Sequence, residues 1–281
     1  MAQQMDVRPI SGALGAEIYG LDLGADLDNS TMADVRKAFF DHGVVFFMDQ
    51  KITPDQHLAF ARRFGGINVN RYFEAVDGHP EIAQVRKEAD DTANIGGAWH
   101  TDHSYDAAPA LGSMLLAREL PERGGDTLFA SMYAAYDALS PGMQKMLSGL
   151  KAVHSGVRAF SPQAVQNNDG RDAKFKLSES ALKEVEHPVI CTHAESGRKY
   201  LYVNRGFTIR FADMTEAESK PLLDFLIQHA ARPEFTCRFN WRPGSMAFWD
   251  NLCTQHLALN DYHGQRRLMH RITIEGKAPQ A

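Results

Sequence analysis

Short apolar runs separated by polar, glycine-containing turns fill most of this chain, and only a few stretches carry a helical period. Ser30-Thr31 is placed to cap a helix over 32–42, with Val35, Phe39 and Phe40 as its apolar stripe and Gly43 as a stop. Val44-Val45-Phe46-Phe47 then predicts a buried strand. Thr53-Pro54-Asp55 opens a second helix, apolar at Leu58, Phe60, Ala61 and Phe64 and ended by Gly65-Gly66. Ser140-Pro141 starts a short helix through about Leu150. Thr215-Glu216-Ala217-Glu218 is a capping box leading a helix that continues through Leu222, Leu223, Phe225, Leu226 and His229.

The remaining segments carry strand signals. Residues 199–204 are β-rich, Phe235, Cys237, Phe239 and Trp241 alternate with Thr236, Arg238 and Asn240, and 245–249 and 268–274 follow. Many short strands with a few flanking helices predict a mainly β fold, a sandwich or jelly-roll barrel. No repeat or linker divides the chain, so one domain over 1–281 is expected. The polar, weakly patterned segment 155–186 reads as an insertion or lid.

Composition narrows the function classes. With 44% hydrophobic residues in 281, the chain can bury a sizeable core. A formal net charge of -5, with lysine and arginine scattered, offers no basic footprint for nucleic acid or a membrane surface. Three cysteines at 191, 237 and 253 show no metal-type spacing and suit a reducing compartment. The N-terminus lacks a signal pattern and no apolar run approaches ~20 residues, so a cytoplasmic protein is expected.

Candidate chemistry begins at His100-Thr101-Asp102. On a strand, residues two apart share a face, so His100 and Asp102 would project together while Thr101 and His103 point away. With His256 they would form the two-imidazole, one-carboxylate set that holds one face of a metal and leaves positions open. The tripeptide alone is weak evidence, and the three residues leave iron oxygenase and zinc hydrolase chemistry both open. His154, His187, His193, His263 and His270, like His103, read as surface or hydrogen-bonded core histidines. Arg267 and Arg271 share one face of the last strand, about 13 Å apart, and inward guanidiniums call for anions. Gly124-Gly125-Asp126-Thr127 is a tight turn leading into a strand. Its threonine is either an ordinary strand residue or a hydroxyl donor to the same carboxylate as Arg267.

Trp99-His100-Thr101-Asp102, Gly124-Gly125-Asp126-Thr127, Trp249-Asp250-Asn251 with His256, and Gln265-Arg266-Arg267-Leu268-Met269-His270-Arg271 together resemble the TauD/TfdA family of Fe(II)/2-oxoglutarate-dependent dioxygenases. The opening Pro9-Ile10-Ser11-Gly12-Ala13-Leu14-Gly15-Ala16-Glu17-Ile18 is similar too, and the resemblance runs over roughly 7–276. It implies a double-stranded β-helix, a jelly roll with flanking helices. It also implies Fe(II) on His100, Asp102 and His256, and 2-oxoglutarate held at its distal carboxylate by Thr127 and Arg267. Arg271 would lie near the C1 carboxylate and an anionic group of the primary substrate. The implied reaction consumes O2 and releases succinate and CO2, in a homo-oligomer, dimer or tetramer. Trp249, Asp250 and Asn251 would support the ligands.

Asn70 and Phe73 stand where taurine-cleaving members carry a histidine and a tyrosine, which counts against taurine itself. Phe160 and Phe207 carry over, and His103 would offer its backbone amide. The expected primary substrate is therefore a small organic anion with an apolar body: an aryloxyalkanoate, an alkyl sulfate or a larger sulfonate. Two rival readings are a non-catalytic 2-oxoglutarate-binding jelly roll and a zinc hydrolase on the same triad. The hydrolase leaves the Thr127/Arg267 clamp without a purpose.

Overall fold

A computed structural model describes residues 5–161 and 179–281. The strands, in chain order, are β1 (Asp6–Pro9), β2 (Ala16–Tyr19), β3 (Val44–Phe47), β4 (Ile67–Asn68), β5 (Ala75–Val76), β6 (His79–Lys87), β7 (Gly112–Glu119), β8 (Thr127–Ser131), β9 (Lys151–His154), β10 (Val185–Pro188), β11 (Ile190–Thr192), β12 (Lys199–Leu201), β13 (Thr208–Phe211), β14 (Thr236–Phe239), β15 (Met246–Asp250), β16 (Thr254–Ala258) and β17 (Arg267–Ile274). Nine of them form one sheet in the order β1-β2-β3-β15-β7-β17-β6-β5, with β4 also on β17. A three-stranded sheet, β14-β8-β16, faces it. The pairing is antiparallel apart from β2 with β3.

Two cores sandwich the large sheet, which explains why its central strands read as unbroken apolar runs. Between the sheets, Val44, Phe46, Leu115, Ala247, Trp249 and Met269 pack against Phe129, Cys237, Phe239 and Trp241. On the other side, Val45, Phe47, Met114, Phe248, Ile272 and Ile274 pack against helices α1 (Asn29–His42) and α2 (Pro54–Arg62). The result is the mainly β architecture with flanking helices that the patterning predicts. Arg267 and Met269 on one face of β17, against Ile272 and Ile274 on the other, follow the expected alternation.

Local signals hold with informative exceptions. Gly43 ends α1 in the left-handed region, and Thr53 and Thr215 each form a capping box with the residue three on. The helix after Thr215 runs Glu216–Ala230. The cap of α1, however, is Asp28, whose carboxylate accepts from the Thr31 amide at 2.7 Å. A carboxylate there answers both the free amide and the positive end of the helix dipole, so the helix starts before Ser30-Thr31. The helix at Pro141 stops at Leu147, and only Lys199–Leu201 of 199–204 is strand. Phe235 lies in a short 3-10 turn and packs into a different core cluster, whereas Cys237, Phe239 and Trp241 face the core between the two sheets. Residues 162–178 of the expected insertion lie outside the described residues. Its two flanks meet where the Gly156 amide donates to the Ala181 carbonyl at 2.7 Å. Among the described residues, no helix is long and apolar enough to cross a membrane.

Gly112 marks the tightest approach beneath the site. A Cβ there would lie 2.7 Å from the Trp249 carbonyl oxygen and 2.8 Å from the Phe248 ring. Gly112→Ala is expected to destabilise the chain by about 1–3 kcal/mol through overpacking, read as a lower urea midpoint. An unchanged midpoint would show that the β7–β15 contact is looser than these distances imply.

Candidate active site

His100, Asp102 and His256 converge, though by a different route from the expected strand. His100 meets β16 in a single antiparallel bridge: its amide donates to the His256 carbonyl at 3.1 Å and the His256 amide donates back at 2.9 Å. Direct cross-strand pairing sets the two imidazoles side by side, ring centroids 4.1 Å apart. The chain then turns, with His103 at φ 59° and the Asp106 amide bonded to the His103 carbonyl. That turn brings Asp102 Oδ1 to 3.6 Å from His100 Nε2 and 3.8 Å from His256 Nε2. One ligand atom from each residue lies within 4.8 Å of the others, so the three can share one ion.

Protonation suits the same role. His100 Nδ1 lies 2.7 Å from the Ala98 carbonyl, which only accepts, so this nitrogen carries the proton and Nε2 presents its lone pair. Burial, then the neighbouring His100, pushes His256 well below the ordinary histidine range and keeps it neutral. Burial alone would raise the Asp102 carboxyl. The Arg271 guanidinium overcomes this and holds Asp102 ionised. Arg271 Nη2 sits 2.7 Å from Asp102 Oδ2, and Ser113 Oγ donates to the same oxygen at 3.0 Å. With Oδ2 engaged, Oδ1 is the oxygen turned toward the imidazoles.

Ser113 is the hub that sequence reasoning missed. It accepts from Asn251 Nδ2 at 3.2 Å and from Arg271 Nη2 at 3.1 Å, and Trp249 Nε1 fixes Asn251 at 2.9 Å. Its signal was a serine inside an otherwise apolar strand, Gly112–Glu119. Of the three expected supports, Trp249 and Asn251 reach this network. Asp250 points the other way and pairs with His193 Nε2 at 2.9 Å, because adjacent strand residues face opposite sides.

Thr127 and Arg267 lie farther inside. Gly124 and Gly125, both at positive φ, make the turn that starts β8 on Thr127. Trp241 Nε1 donates to Thr127 Oγ1 at 3.0 Å, leaving the hydroxyl hydrogen for another acceptor. Arg267 is buried with Nε and Nη2 unpartnered, and burial pushes its guanidinium down from the ordinary value. Both side chains meet the same indole, the Arg267 guanidinium lying 5.4 Å from the Trp241 ring centroid, and buried guanidinium nitrogens without a partner together with a spare hydroxyl suit a carboxylate.

A cavity of about 400 Å³ opens over the triad, and Asn70, Phe73, His103, Phe160, Phe207 and Arg271 all line it. The left-handed turn at His103 returns its ring to the cavity, where a regular strand would have carried it away. His103 Nδ1 donates to Asp106 Oδ2 at 2.9 Å. Asn70 spends its side-chain oxygen on the amides of Tyr72 and Phe73, so it shapes a turn as well as the wall. Tyr105, Arg158 and Arg205 also line the cavity and were not expected from the sequence. Tyr72 lines it too and stacks on Phe160 with centroids 4.5 Å apart.

The other histidines stay outside the triad. His154 and His187 pack on Tyr202, His263 is exposed, and His270 faces the opposite side of β17 from Arg267 and Met269. Arg266 is ion-paired at the surface with Glu88 and Glu119.

The profile of the family described as "Taurine catabolism dioxygenase TauD, TfdA family" matches residues 6–273. This chain belongs to the TauD/TfdA family. An alpha-ketoglutarate-dependent sulfate ester dioxygenase of Pseudomonas putida is 34% identical over 280 residues, covering 99% of this chain and 92% of that protein. The (S)-phenoxypropionate/alpha-ketoglutarate-dioxygenase of Sphingobium herbicidovorans is 32% identical, over 98% and 96%. The crystal structure of a taurine dioxygenase from Burkholderia xenovorans superposes with a TM-score of 0.83 at 36% identity, covering 98% of this chain and 92% of that one. The fold is thus the double-stranded β-helix of the TauD/TfdA family, and the chain is an Fe(II)/2-oxoglutarate-dependent dioxygenase. Its residues fit both groups: a neutral-imidazole and carboxylate donor set for iron, and orphaned buried guanidinium nitrogens for a dicarboxylate.

Removing the Ser113 hydroxyl takes a hydrogen bond from Asp102 and strands Asn251. Ser113→Ala is expected to weaken divalent-metal binding by about 10-fold or more, measured by anaerobic Fe(II) titration, with the fold intact by circular dichroism. Equal metal affinity in the variant would remove Ser113 from the site.

Proposed function

We propose that His100, Asp102 and His256 hold the iron, that Thr127 and Arg267 hold the distal carboxylate of 2-oxoglutarate, and that the aromatic cavity takes a small organic anion. The observation carrying this reading is Arg267, buried with two unpartnered nitrogens against Trp241, the same indole that bonds Thr127 and leaves its hydroxyl hydrogen free to donate. When bound, iron and 2-oxoglutarate supply an O2-driven oxidation in which the keto acid leaves as succinate and CO2 and a substrate C–H becomes C–OH.

The protein's own contribution is positional and electrostatic. Ala98 fixes the His100 tautomer, and Arg271 with Ser113 keeps Asp102 ionised with one oxygen turned to the metal position. Arg267 and Thr127 set the orientation of the co-substrate from its far end. Tyr72, Tyr105, Phe160 and Phe207, packed ring against ring, exclude water from the space above the triad.

The same rings favour a substrate with an apolar body, and Arg158, Arg205 and Arg271 in the cavity wall favour an anionic end. Sulfate esters, sulfonates and aryloxyalkanoates meet both requirements, in keeping with the names of the two relatives. Hydroxylation at a carbon bearing a sulfate or aryloxy oxygen gives an adduct that collapses to a carbonyl compound and the freed sulfate or phenol.

Two measurements test this. Anaerobic addition of Fe(II) and 2-oxoglutarate should produce the visible charge-transfer band of the chelate, and Arg267→Ala should raise the 2-oxoglutarate needed for it by about 10- to 100-fold. No band from folded, iron-loaded protein would sink the assignment. Succinate release across linear and aryl sulfate esters, sulfonates and aryloxyalkanoates should exceed the substrate-free rate with at least one class and stay at that rate with taurine.

A further inference from the structure

A second buried cation lies beside Arg267, and nothing in the reading so far uses it. Lys87 ends β6 and is the direct antiparallel partner of Arg267 at the start of β17. Cross-strand partners point to the same side of a sheet. The next inward pair along these strands, Val85 and Met269, packs in the core between the two sheets, so Lys87 and Arg267 both face the barrel interior. Lys87 is 3% exposed and its Nζ is itself out of water, which distinguishes it from a lysine that buries only its stem.

That ammonium has no hydrogen-bond partner among the described residues. It rests 4.4 Å from the centroid of the Tyr262 ring. The same tyrosine neighbours Arg267: a Cβ on Gly125 would touch both Tyr262 and the Arg267 side chain, at 3.3 and 3.4 Å. The nearby carboxylates are engaged elsewhere. Asp126 takes Arg238 at 2.5 Å and Asn240 at 2.8 Å, Asp261 takes the Gly125 amide at 2.7 Å, and Asp91, also near Tyr262, takes the Glu88 amide at 2.6 Å. Two adjacent cations withdrawn from water without an acid are unfavourable, and an aromatic face offsets only part of that. An anion that enters this end of the barrel removes the penalty.

We infer that Lys87 is a further binding residue for the distal carboxylate of 2-oxoglutarate, completing with Arg267 and Thr127 a pocket that reads both oxygens of that group. The inference rests on the assignment of Thr127 and Arg267 above. It adds that selection for a dicarboxylic keto acid over a monocarboxylic one is shared between two cations on neighbouring strands.

The test is calorimetric titration, under anaerobic conditions and with Mn(II) bound, of 2-oxoglutarate and of 2-oxopentanoate, the same chain without the distal carboxylate. Thermal unfolding of the metal-free protein is the second readout. Lys87→Met is expected to weaken 2-oxoglutarate about tenfold or more while leaving 2-oxopentanoate unchanged. Lys87→Arg should recover much of the loss. Without ligand, Lys87→Met should melt at or above the wild-type temperature, because an unpaired buried charge is gone. Unchanged 2-oxoglutarate affinity in Lys87→Met, alongside a loss in Arg267→Ala, would overturn the role of Lys87 and keep that of Arg267. Unchanged affinity in both variants would overturn the reading of the whole pocket. A Lys87→Met protein that fails to fold, or loses both ligands equally, would make Lys87 structural.

Discussion

The ion pair between buried Asp102 and Arg271, which is largely but not fully withdrawn from water, is the constraint around which the site is built. A carboxylate and a guanidinium out of water are tolerable only when their remaining hydrogen-bonding positions are filled. Here Ser113 bonds to both members of the pair, while Asn251 holds Ser113 and Trp249 holds Asn251, each at or below 3.2 Å; Arg271 Nε stays without a partner among the described residues. Those residues come from β7, from β15 and the position just after it, and from β17. These are neighbours in the large sheet, with Ser113 opposite both Trp249 and Thr273. The order of the sheet is therefore a condition of the chemistry: exchange two of these strands and Asp102 keeps its charge without its partners. The apolar packing on both sides of the sheet holds that register.

Charge is distributed along β17 with the same economy. Arg271 has an anion within the protein, whereas Arg267 has none among the described residues. One end of the strand is electrostatically complete before any ligand arrives. The other end is left positive, about 13 Å farther into the barrel. On the reading proposed above, a linear dicarboxylate keto acid lies along such a gradient in one direction, distal carboxylate inward and keto acid toward the triad. Orientation of the co-substrate thus follows from which arginine the protein itself neutralises.

Much of this was legible in the sequence, for stated physical reasons. Strand alternation identified the two faces of β17, capping signals located three helices, and widely spaced motifs brought His100, Asp102, His256, Thr127 and Arg267 into one reading. The failures have two causes: some depended on tertiary placement that no local pattern encodes, and others on local signals that were outweighed. His103 was expected to face away because a strand was assumed, and a left-handed turn reversed it. Asp250 looked like a ligand support beside Trp249, yet it serves His193 across the other face. Ser113 was visible only as a polar residue next to an apolar run, and Lys87 as one more polar residue in a mixed strand; both draw attention once their burial is known. Asp28 displaced Ser30 as a cap because a carboxylate answers the helix dipole as well as the free amide.

The origin of each residue explains how one scaffold carries different substrate preferences. Those around the triad and the inner carboxylate pocket lie mainly on sheet strands fixed by two hydrophobic cores, and His100 is tied to β16 by paired backbone hydrogen bonds. The cavity wall is built differently. Asn70, Tyr72 and Phe73 lie in a turn between short strands, Tyr105 follows the His103 turn, Phe160 ends a one-turn helix, and Phe207 sits in a loop braced by Asn204. Side chains in turns can change size without moving a sheet register, whereas any shift in β7, β15 or β17 would disturb Asp102. Relatives near one-third identity that keep the fold and act on a sulfate ester or a phenoxypropionate fit this division. On the reading proposed above, it gives the choice of substrate to an aromatic wall and to three arginines of unequal freedom. Arg271 is committed to Asp102, Arg158 Nη1 donates to the Thr208 carbonyl at 2.9 Å, and Arg205 is exposed at the cavity rim. An anionic group entering from solvent therefore meets Arg205 first and reaches Arg271 only by sharing it with the metal-binding carboxylate. That competition favours substrates whose anionic end stays near the rim while the apolar body lies against the rings, with the oxidised carbon set by the length between them.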